Sequence, residues 1–338
     1  MSADNITGAG VLAIESEMAR QHGDALASFE AAANLADRIA GALRSRKRLL
    51  LLGMGGSHAV NRMVEGEYRA LGIQTLAISL SELLYSPLEL GDTAIIITSQ
   101  SGESAEVHRI LEGLTGHDAS YGITLEPNSK LAGALPSLIG AGGTERAFAA
   151  TRSLMITLAL HLRVLAALGF DARPALDALR ARVRLDITEA VKLLKPCRAV
   201  IYSGRALRGL AEAAALSTME LARMPAYALE GGQFRHGPLE ALGPALGAVH
   251  FCADEAAVHL VAGLARDTVA GGSPTVMFDA SASDAIRGDL ILRFPKARPL
   301  AAMLSMLPVV QRLAIGLAGQ RVSDVGIPLR TTKITRSE

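Results

Sequence analysis

Residues 98–104 read Thr-Ser-Gln-Ser-Gly-Glu-Ser, hydroxyls and one glycine set between the apolar run Ala94–Thr98 and a helix-like segment. Where a parallel strand gives way to a helix, the first-turn N–H groups lack intrahelical partners, point outward, and sit at the positive end of the aligned peptide dipoles. Such a junction suits an anion, and phosphate is the natural guest. Serine hydroxyls add donors, and Gly102 lets the backbone come close to a ligand. A plainer reading of the same residues has one serine capping the helix and the others solvated in a turn. Two further side chains are suited to moving protons. Glu220 lies near the end of a helical stretch that Met224-Pro225 should terminate, where the negative end of the dipole opposes ionisation and would raise its pKa. A carboxylate so placed could take a proton from one carbon and return it to the next. His236 stands in Gly231-Gly232-Gln233-Phe234-Arg235-His236-Gly237-Pro238, on a turn, and a histidine exchanges protons near neutral pH. A solvated helix glutamate and a surface turn histidine are the alternatives.

The other glycine cluster, Gly53-Met54-Gly55-Gly56-Ser57-His58, invites comparison with a dinucleotide-binding turn. That fingerprint needs glycine where His58 stands, and it needs an acid for the ribose diol where the second strand ends in Ile78-Ser79. It fails on both. Gly55, Gly56 and Ser57 are left as a second candidate contact for a ligand, or simply as the means by which strand and helix pack closely.

Composition narrows the partners. The chain has 338 residues, half of them apolar, with 34 basic and 33 acidic side chains, so neither nucleic acid nor an anionic membrane surface is an expected partner. A small anion is compatible with that balance because a local site needs no net charge. Cys197 and Cys252 form no CxxC and lie near apolar strand candidates, which reads as small core residues in a reducing compartment. The eight histidines contain no HxxxH or HExxH pair, so no metal site is expected, and no cofactor either. The start, MSADNITGAG, has no basic region followed by an apolar one, and no apolar run approaches about 18 residues. A cytoplasmic protein is the expectation.

The elements that must position these residues alternate. Residues 12–44 carry apolar positions at helical spacing and predict one or two helices. Arg48–Leu52, Thr75–Ile78, Ala94–Thr98, Ser120–Thr124 and Ser137–Ile139 are short strand candidates separated mostly by helical segments. The second half repeats this grammar with strands at Ala199–Tyr202, Ala248–Cys252, Thr275–Asp279 and Leu290–Phe294, the Ala-rich helix Leu207–Arg223, and a closing helical stretch Pro299–Gln320. Runs apolar on both faces imply parallel sheets covered on both sides. The expected fold class is α/β, with two similar doubly wound, flavodoxin-like domains in tandem. Thr151–Leu168 reads as a helix between the halves and Asp171–Pro174 as the boundary. The domain expectation is N-terminal helices over 1–44, a first domain over 45–172, and a second over 173–338 that includes an active-site tail.

Five segments, in order, resemble the sugar isomerase (SIS) domain family: GMGGS (53–57), TSQSGES (98–104), AGGTERAFAATRS (141–153), MELARMPAYALEGGQFRHGP (219–238) and DVGIPLRTTKIT (324–335). The two-unit organisation is similar to the isomerase part of glucosamine-6-phosphate synthase and its stand-alone relatives, from about residue 45 onward. The resemblance implies a phosphate site at Ser99, Gln100, Ser101 and Ser104, Glu220 as a proton shuttle between C1 and C2 of a sugar phosphate, and His236 as the ring-opening acid/base. It also implies that His236 is supplied by the neighbouring subunit of a homodimer. Lys333 falls where the family places a tail lysine that condenses with the open-chain carbonyl; without the family, Lys333 would read as part of a disordered basic tail. One departure stands out. The synthase has a second lysine one helical turn before its catalytic glutamate, and Ser217 is there instead.

Taken together, these features predict a phosphosugar aldose–ketose isomerase that converts an amino hexose 6-phosphate, of the glucosamine 6-phosphate type, into a ketose 6-phosphate and ammonia. Ser217 argues against ammonia-dependent synthesis, and the short stretch before residue 45 against glutamine-dependent synthesis by this chain alone. A fructosyl-amino-acid 6-phosphate deglycase and a plain isomerase share the same motif. A non-catalytic sugar-phosphate sensor is the alternative of another class, against which stand Glu220, His236 and Lys333.

Overall fold

A computed structural model describes residues 8–335. The first seven residues, on which the expectation of no leader partly rests, and the last three of the tail lie outside the described residues. Two sheets of five parallel strands carry the architecture. The first holds β1 (Arg48–Gly53), β2 (Gln74–Ser79), β3 (Ala94–Thr98), β4 (Ser120–Thr124) and β5 (Ser137–Ile139) in the order β2-β1-β3-β4-β5. The second holds β6 (Ala199–Gly204), β7 (Ala226–Glu230), β8 (Leu246–Ala253), β9 (Thr275–Ala280) and β10 (Leu290–Arg293) in the order β7-β6-β8-β9-β10. Counted from the first strand of each sheet, the two orders are identical. Nine of the ten strands coincide with apolar runs predicted above; β7 does not. It is a five-residue edge strand that follows Pro225, and only its first residue, Ala226, is fully buried.

The helices follow in chain order: α1 (Ala9–Ala31), α2 (Ala33–Arg46), α3 (Gly55–Ala70), α4 (Leu80–Tyr85), α5 (Ala105–Gly113), α6 (Lys130–Ala134), α7 (Arg152–Ala167), α8 (Arg173–Ala181), α9 (Thr188–Leu194), α10 (Arg208–Ala222), α11 (Gly231–Arg235), α12 (Val258–Ala270) and α13 (Pro299–Gly319). The N-terminal helical stretch is two helices, broken at Ala32. In β3 every residue of Ala-Ile-Ile-Ile-Thr is buried, as a central parallel strand requires, and Leu50, Leu52, Ile95 and Ile97 form one core cluster with Val107 of α5 and Leu131 of α6. Each such side chain contributes about 1.5–3 kcal/mol by leaving water.

Chain contacts group the residues into two compact units: one of Ser16–Leu176 with Pro328 onward, the other of residues up to Glu15 with Asp177–Ile327. The expected assignment of the tail to the second domain is therefore corrected. From Pro328 the tail packs with the first sheet, where Lys333 pairs with Glu145 and the Ala105 N–H donates to the Thr335 carbonyl.

Helix α13 is long and apolar enough to cross a membrane, because Ser305, Pro308, Gln311 and Arg312 interrupt its apolar run without offsetting it. Of its most apolar window, 94% is buried inside the protein, so it serves as a core helix packed against α10. Cys197 and Cys252 are both buried and free, and burial pushes the Cys252 thiol up to about 12.

One buried charge organises the first unit. Arg152, the first residue of α7, is wholly buried; its Nε donates to Glu17 Oε2 (2.6 Å), Nη1 to Asp24 Oδ2 (3.0 Å), and Nη2 to the Gly143 carbonyl (2.7 Å). It thus fastens α1 and the segment before α7 to each other. Arg152→Met keeps apolar volume but leaves Glu17 without its cation. A loss of about 3–5 kcal/mol in denaturant-unfolding stability is expected.

Candidate functional site

In a sheet ordered β2-β1-β3-β4-β5, the connections leaving β1 and β3 diverge to opposite faces, opening a crevice at their carboxyl ends. Gly53 and Thr98, the last residues of those strands, are paired across the sheet. The segments Gly53–Ser57 and Thr98–Ser104 therefore leave from adjacent positions. Thr98 Oγ1 donates to Asn61 Oδ1 (2.8 Å), tying the end of β3 to α3.

The serine loop is held from within. Ser99 Oγ accepts from Gly102 N (3.1 Å), Ser101 Oγ from Glu103 N (3.2 Å), and Ser104 Oγ caps α5 by accepting from Val107 N (3.4 Å). The capping reading is thus correct for Ser104. Accepting from the backbone leaves each hydroxyl its own O–H to donate, so turn-building and anion binding are compatible. Ser99 and Ser101 are only 9% and 8% exposed, while Gln100 is half-buried and its carbonyl accepts from Leu125 N (3.1 Å) and Thr124 Oγ1 (3.1 Å) at the end of β4. Gly102 has φ +64°, and a Cβ there would collide with Ser129 Oγ. Glu103 Oε1 accepts from Lys130 N (2.6 Å) and its Oε2 meets His108 Nε2 (3.0 Å). In the neighbouring turn Gly55 has φ +50°, Met54 gives α3 no side-chain cap, and Gly55, Gly56 and Ser57 form its first turn.

Facing the serine loop is a residue that the sequence reading did not single out. Glu145 lies between β5 and α7 and is 1% exposed. Its Oε1 accepts from Thr151 N (2.9 Å), Thr151 Oγ1 (3.2 Å) and Ser153 N (3.1 Å). Its Oε2 accepts from Ser153 Oγ (2.6 Å) and from Lys333 Nζ (3.0 Å), 188 residues away. Burial alone would push this carboxyl up; the Lys333 ammonium, the Ser153 hydroxyl and the Thr151 N–H outweigh it and hold the pKa below the usual value. A pocket of about 290 Å³ is lined by Gln100, Ser101, Glu126, Thr144, Glu145 and Lys333, among others. The first unit thus brings the serine loop and Lys333 to one place. The only advance signal of Glu145 was its place within Ala141–Ser153, where threonine and serine donors lie close in sequence.

Glu220 and His236 belong to the other unit. Glu220 is half-buried on α10, three residues after the buried Ser217 and two before the helix ends. Met224 and Pro225 follow as expected, but the helix closes one residue earlier, at Arg223 in the left-handed region (φ 50°). Arg223 binds Asp324 (Nη1–Oδ1, 2.9 Å) and donates to the Ile327 carbonyl (3.0 Å). His236 is exposed and follows α11, on the turn that the glycines predicted. Glu230 caps α11, its Oε2 accepting from Gly232 N (2.7 Å) and Gln233 N (3.1 Å), while Arg205, just beyond β6, pairs with Oε1 (3.0 Å).

No family model matches the chain. Among curated proteins it is 28% identical over 329 residues to a glutamine–fructose-6-phosphate aminotransferase (isomerizing) from Aeropyrum pernix, covering 89% of this chain. The chain spans about half, 53%, of that relative's length. Among solved structures it is similar to the C-terminal domain of glucosamine-fructose-6-phosphate aminotransferase from Francisella tularensis, with a TM-score of 0.83 and 18% identity, over 97% of this chain and 100% of that one. The chain has the sugar isomerase (SIS) fold. A glucosamine-6-phosphate deaminase from Thermotoga maritima also has it, with a TM-score of 0.70 and 19% identity, over 93% of this chain and 100% of that one. Within this SIS fold, no group of three or more metal-ligating side chains occurs among the described residues.

Two outcomes follow from this geometry. Gly102→Ala puts a side chain into a left-handed position against Ser129, and is expected to cost about 1–3 kcal/mol and to weaken binding of inorganic phosphate, measured by denaturant unfolding and calorimetry. For Glu145 the folded pKa lies below the ordinary 4.5, so the unfolded chain takes up the proton first. Its stabilisation is therefore full above that value and is lost as pH falls through the lower, folded pKa. The stability gap between the wild type and Glu145→Gln is expected to be constant near neutral pH and to close in acid, in urea titrations across that range.

Proposed function

We propose that this chain is a phosphosugar aldose–ketose isomerase of SIS type, built of two SIS domains in tandem, that works at C1 and C2 of a hexose 6-phosphate. One observation carries the reading: a pocket in which a lysine, held by a buried carboxylate, faces a hydroxyl-rich loop at a helix N-terminus. In this reading Ser99, Gln100, Ser101 and Ser104 hold the phosphate, with Gly55, Gly56 and Ser57 beside them. His236 of a partner subunit in a homodimer opens the sugar ring, Glu220 moves the proton, and Lys333 meets the open-chain carbonyl. Soluble sugar phosphate is the substrate, and the cytoplasm is the compartment.

On an amino hexose 6-phosphate the chemistry runs to completion without a cofactor. Ring opening exposes the C1 aldehyde; Glu220 removes the C2 proton and returns it to C1, leaving a C1 alcohol and a C2 iminium. Water adds to C2, the C–N bond breaks, and ketose 6-phosphate and ammonia leave. The name of the A. pernix relative favours a second reading, the same steps in the direction of amination. Ser217, buried where the synthase carries lysine, weighs against it.

Incubation with glucosamine 6-phosphate is expected to release ammonia and fructose 6-phosphate in equal amounts. Exchange of the C2 proton with solvent but no ammonia would make the chain a plain isomerase, and turnover only of a fructosyl-amino-acid 6-phosphate a deglycase. Binding without turnover of any phosphosugar would leave a sensor. Glu220→Gln is expected to lower kcat by roughly 10²–10⁴-fold while leaving phosphosugar affinity, measured by calorimetry, nearly unchanged.

A further inference from the structure

Among the described residues, Lys333 reaches the pocket on a segment with few other hydrogen bonds. Thr335 contributes its carbonyl to Ala105 N (3.1 Å), and the Thr332 hydroxyl turns back to the Ile334 carbonyl (2.7 Å), a bond within the tail itself. Thr331 and Thr332 are exposed. Against this, Glu145 is fixed on all sides by Thr151 and Ser153, on a segment that Arg152 clamps through the carbonyls of Ala141 (3.3 Å) and Gly143 (2.7 Å). The ion pair thus joins a rigid partner to a lightly held one.

We propose that Glu145 is a positioning residue: its Oε2 fixes Lys333 Nζ at the pocket beside the serine loop, and the tail supplies its lysine only while that ion pair is made. The geometry gives this a direction. Four of the five hydrogen bonds to Glu145 come from residues within eight positions of it, so the carboxylate is already aimed before the tail arrives. The fifth comes from Lys333, whose own side chain is long and rotamer-rich and gains most from a fixed acceptor. The kinetic consequence rests on the phosphosugar reading above; the docking of the tail does not.

The test uses the full chain and four proteins: wild type, Glu145→Gln, Lys333→Met and the double variant. Hydrogen–deuterium exchange of peptides covering 328–335 is read without any ligand. Both single variants are expected to exchange there about tenfold faster than wild type, and the double variant no faster than either, since all three lose one shared interaction. Lys333→Met keeps the four local hydrogen bonds to Glu145, so a folding defect peculiar to Glu145→Gln cannot imitate the result. Faster exchange confined to 145–153 in Glu145→Gln, with the tail as protected as in wild type, would make Glu145 a structural residue and overturn the proposal. So would a tail unaffected by Lys333→Met. In turnover, Glu145→Gln is expected to lower kcat by on the order of 10²-fold with little change in KM, the mark of a misplaced group and not of a lost phosphate contact. Ser101→Ala, which touches the phosphate loop, is expected to raise KM instead. Should the wild type turn over no phosphosugar, the functional reading fails while exchange still decides whether Glu145 positions the tail.

Discussion

A carboxylate cannot remain ionised in a protein interior unless hydrogen bonds and an opposite charge replace the water it loses. Glu145 meets that requirement with donors from its own neighbourhood and a cation from the far end of the chain. The requirement shapes its surroundings. Thr151 and Ser153 must lie at the start of α7 with their N–H groups free of the helix ladder, which is where a helix N-terminus leaves them. Arg152, between them, turns the other way and binds Glu17 and Asp24 of α1. Two buried charges of opposite sign, Glu145 and Arg152, thereby fasten the segment before α7 to the tail on one side and to α1 on the other.

The parallel sheet sets the rest. Because β1 and β3 are neighbours whose connections part to opposite faces, whatever follows them lines a crevice, and the sequence spends glycine and serine there in place of apolar residues. The second sheet has the same strand order, but its corresponding exits carry Gly204-Arg205 after β6 and Asp254-Glu255 after β8. Arg205 pairs with Glu230 and Glu255 accepts from Ala206 N (3.2 Å). Burial raises the Glu255 pKa. One architecture thus presents hydroxyls and N–H donors in one unit and paired charges in the other, and the second arrangement braces the short helix that precedes His236.

Much of this could be read from the chain because buried parallel strands leave a blunt mark: about four apolar residues between polar turns, as in Ala94–Ile97 or Ala199–Tyr202. β7 was passed over although Ala226–Leu229 are four apolar residues, because Pro225 before them and Gly231-Gly232 after them read as a turn as readily as the limits of a strand. α13 was underestimated for a related reason, as a few polar residues broke the run without making the helix any less apolar on average. The serine loop was legible because its residue types are those a helix N-terminus and an anion both favour. Glu145 was not, because a single glutamate between threonine and arginine looks like any surface residue; its meaning depends on burial and on a lysine distant in sequence. The tail was expected to belong to the second half for the opposite reason, that sequence adjacency is visible and spatial return is not.

The order in which the chain is made gives the Glu145–Lys333 pair one more consequence. A ribosome delivers Lys333 188 residues after Glu145, which at ordinary rates of synthesis is roughly 10 to 40 s. Throughout that interval the first sheet and its serine loop are complete in sequence, yet their buried carboxylate has no cation. The earliest unit to be synthesised is in this sense the last to be finished, and a nascent chain stalled short of the tail would hold a phosphate loop beside an uncompensated charge.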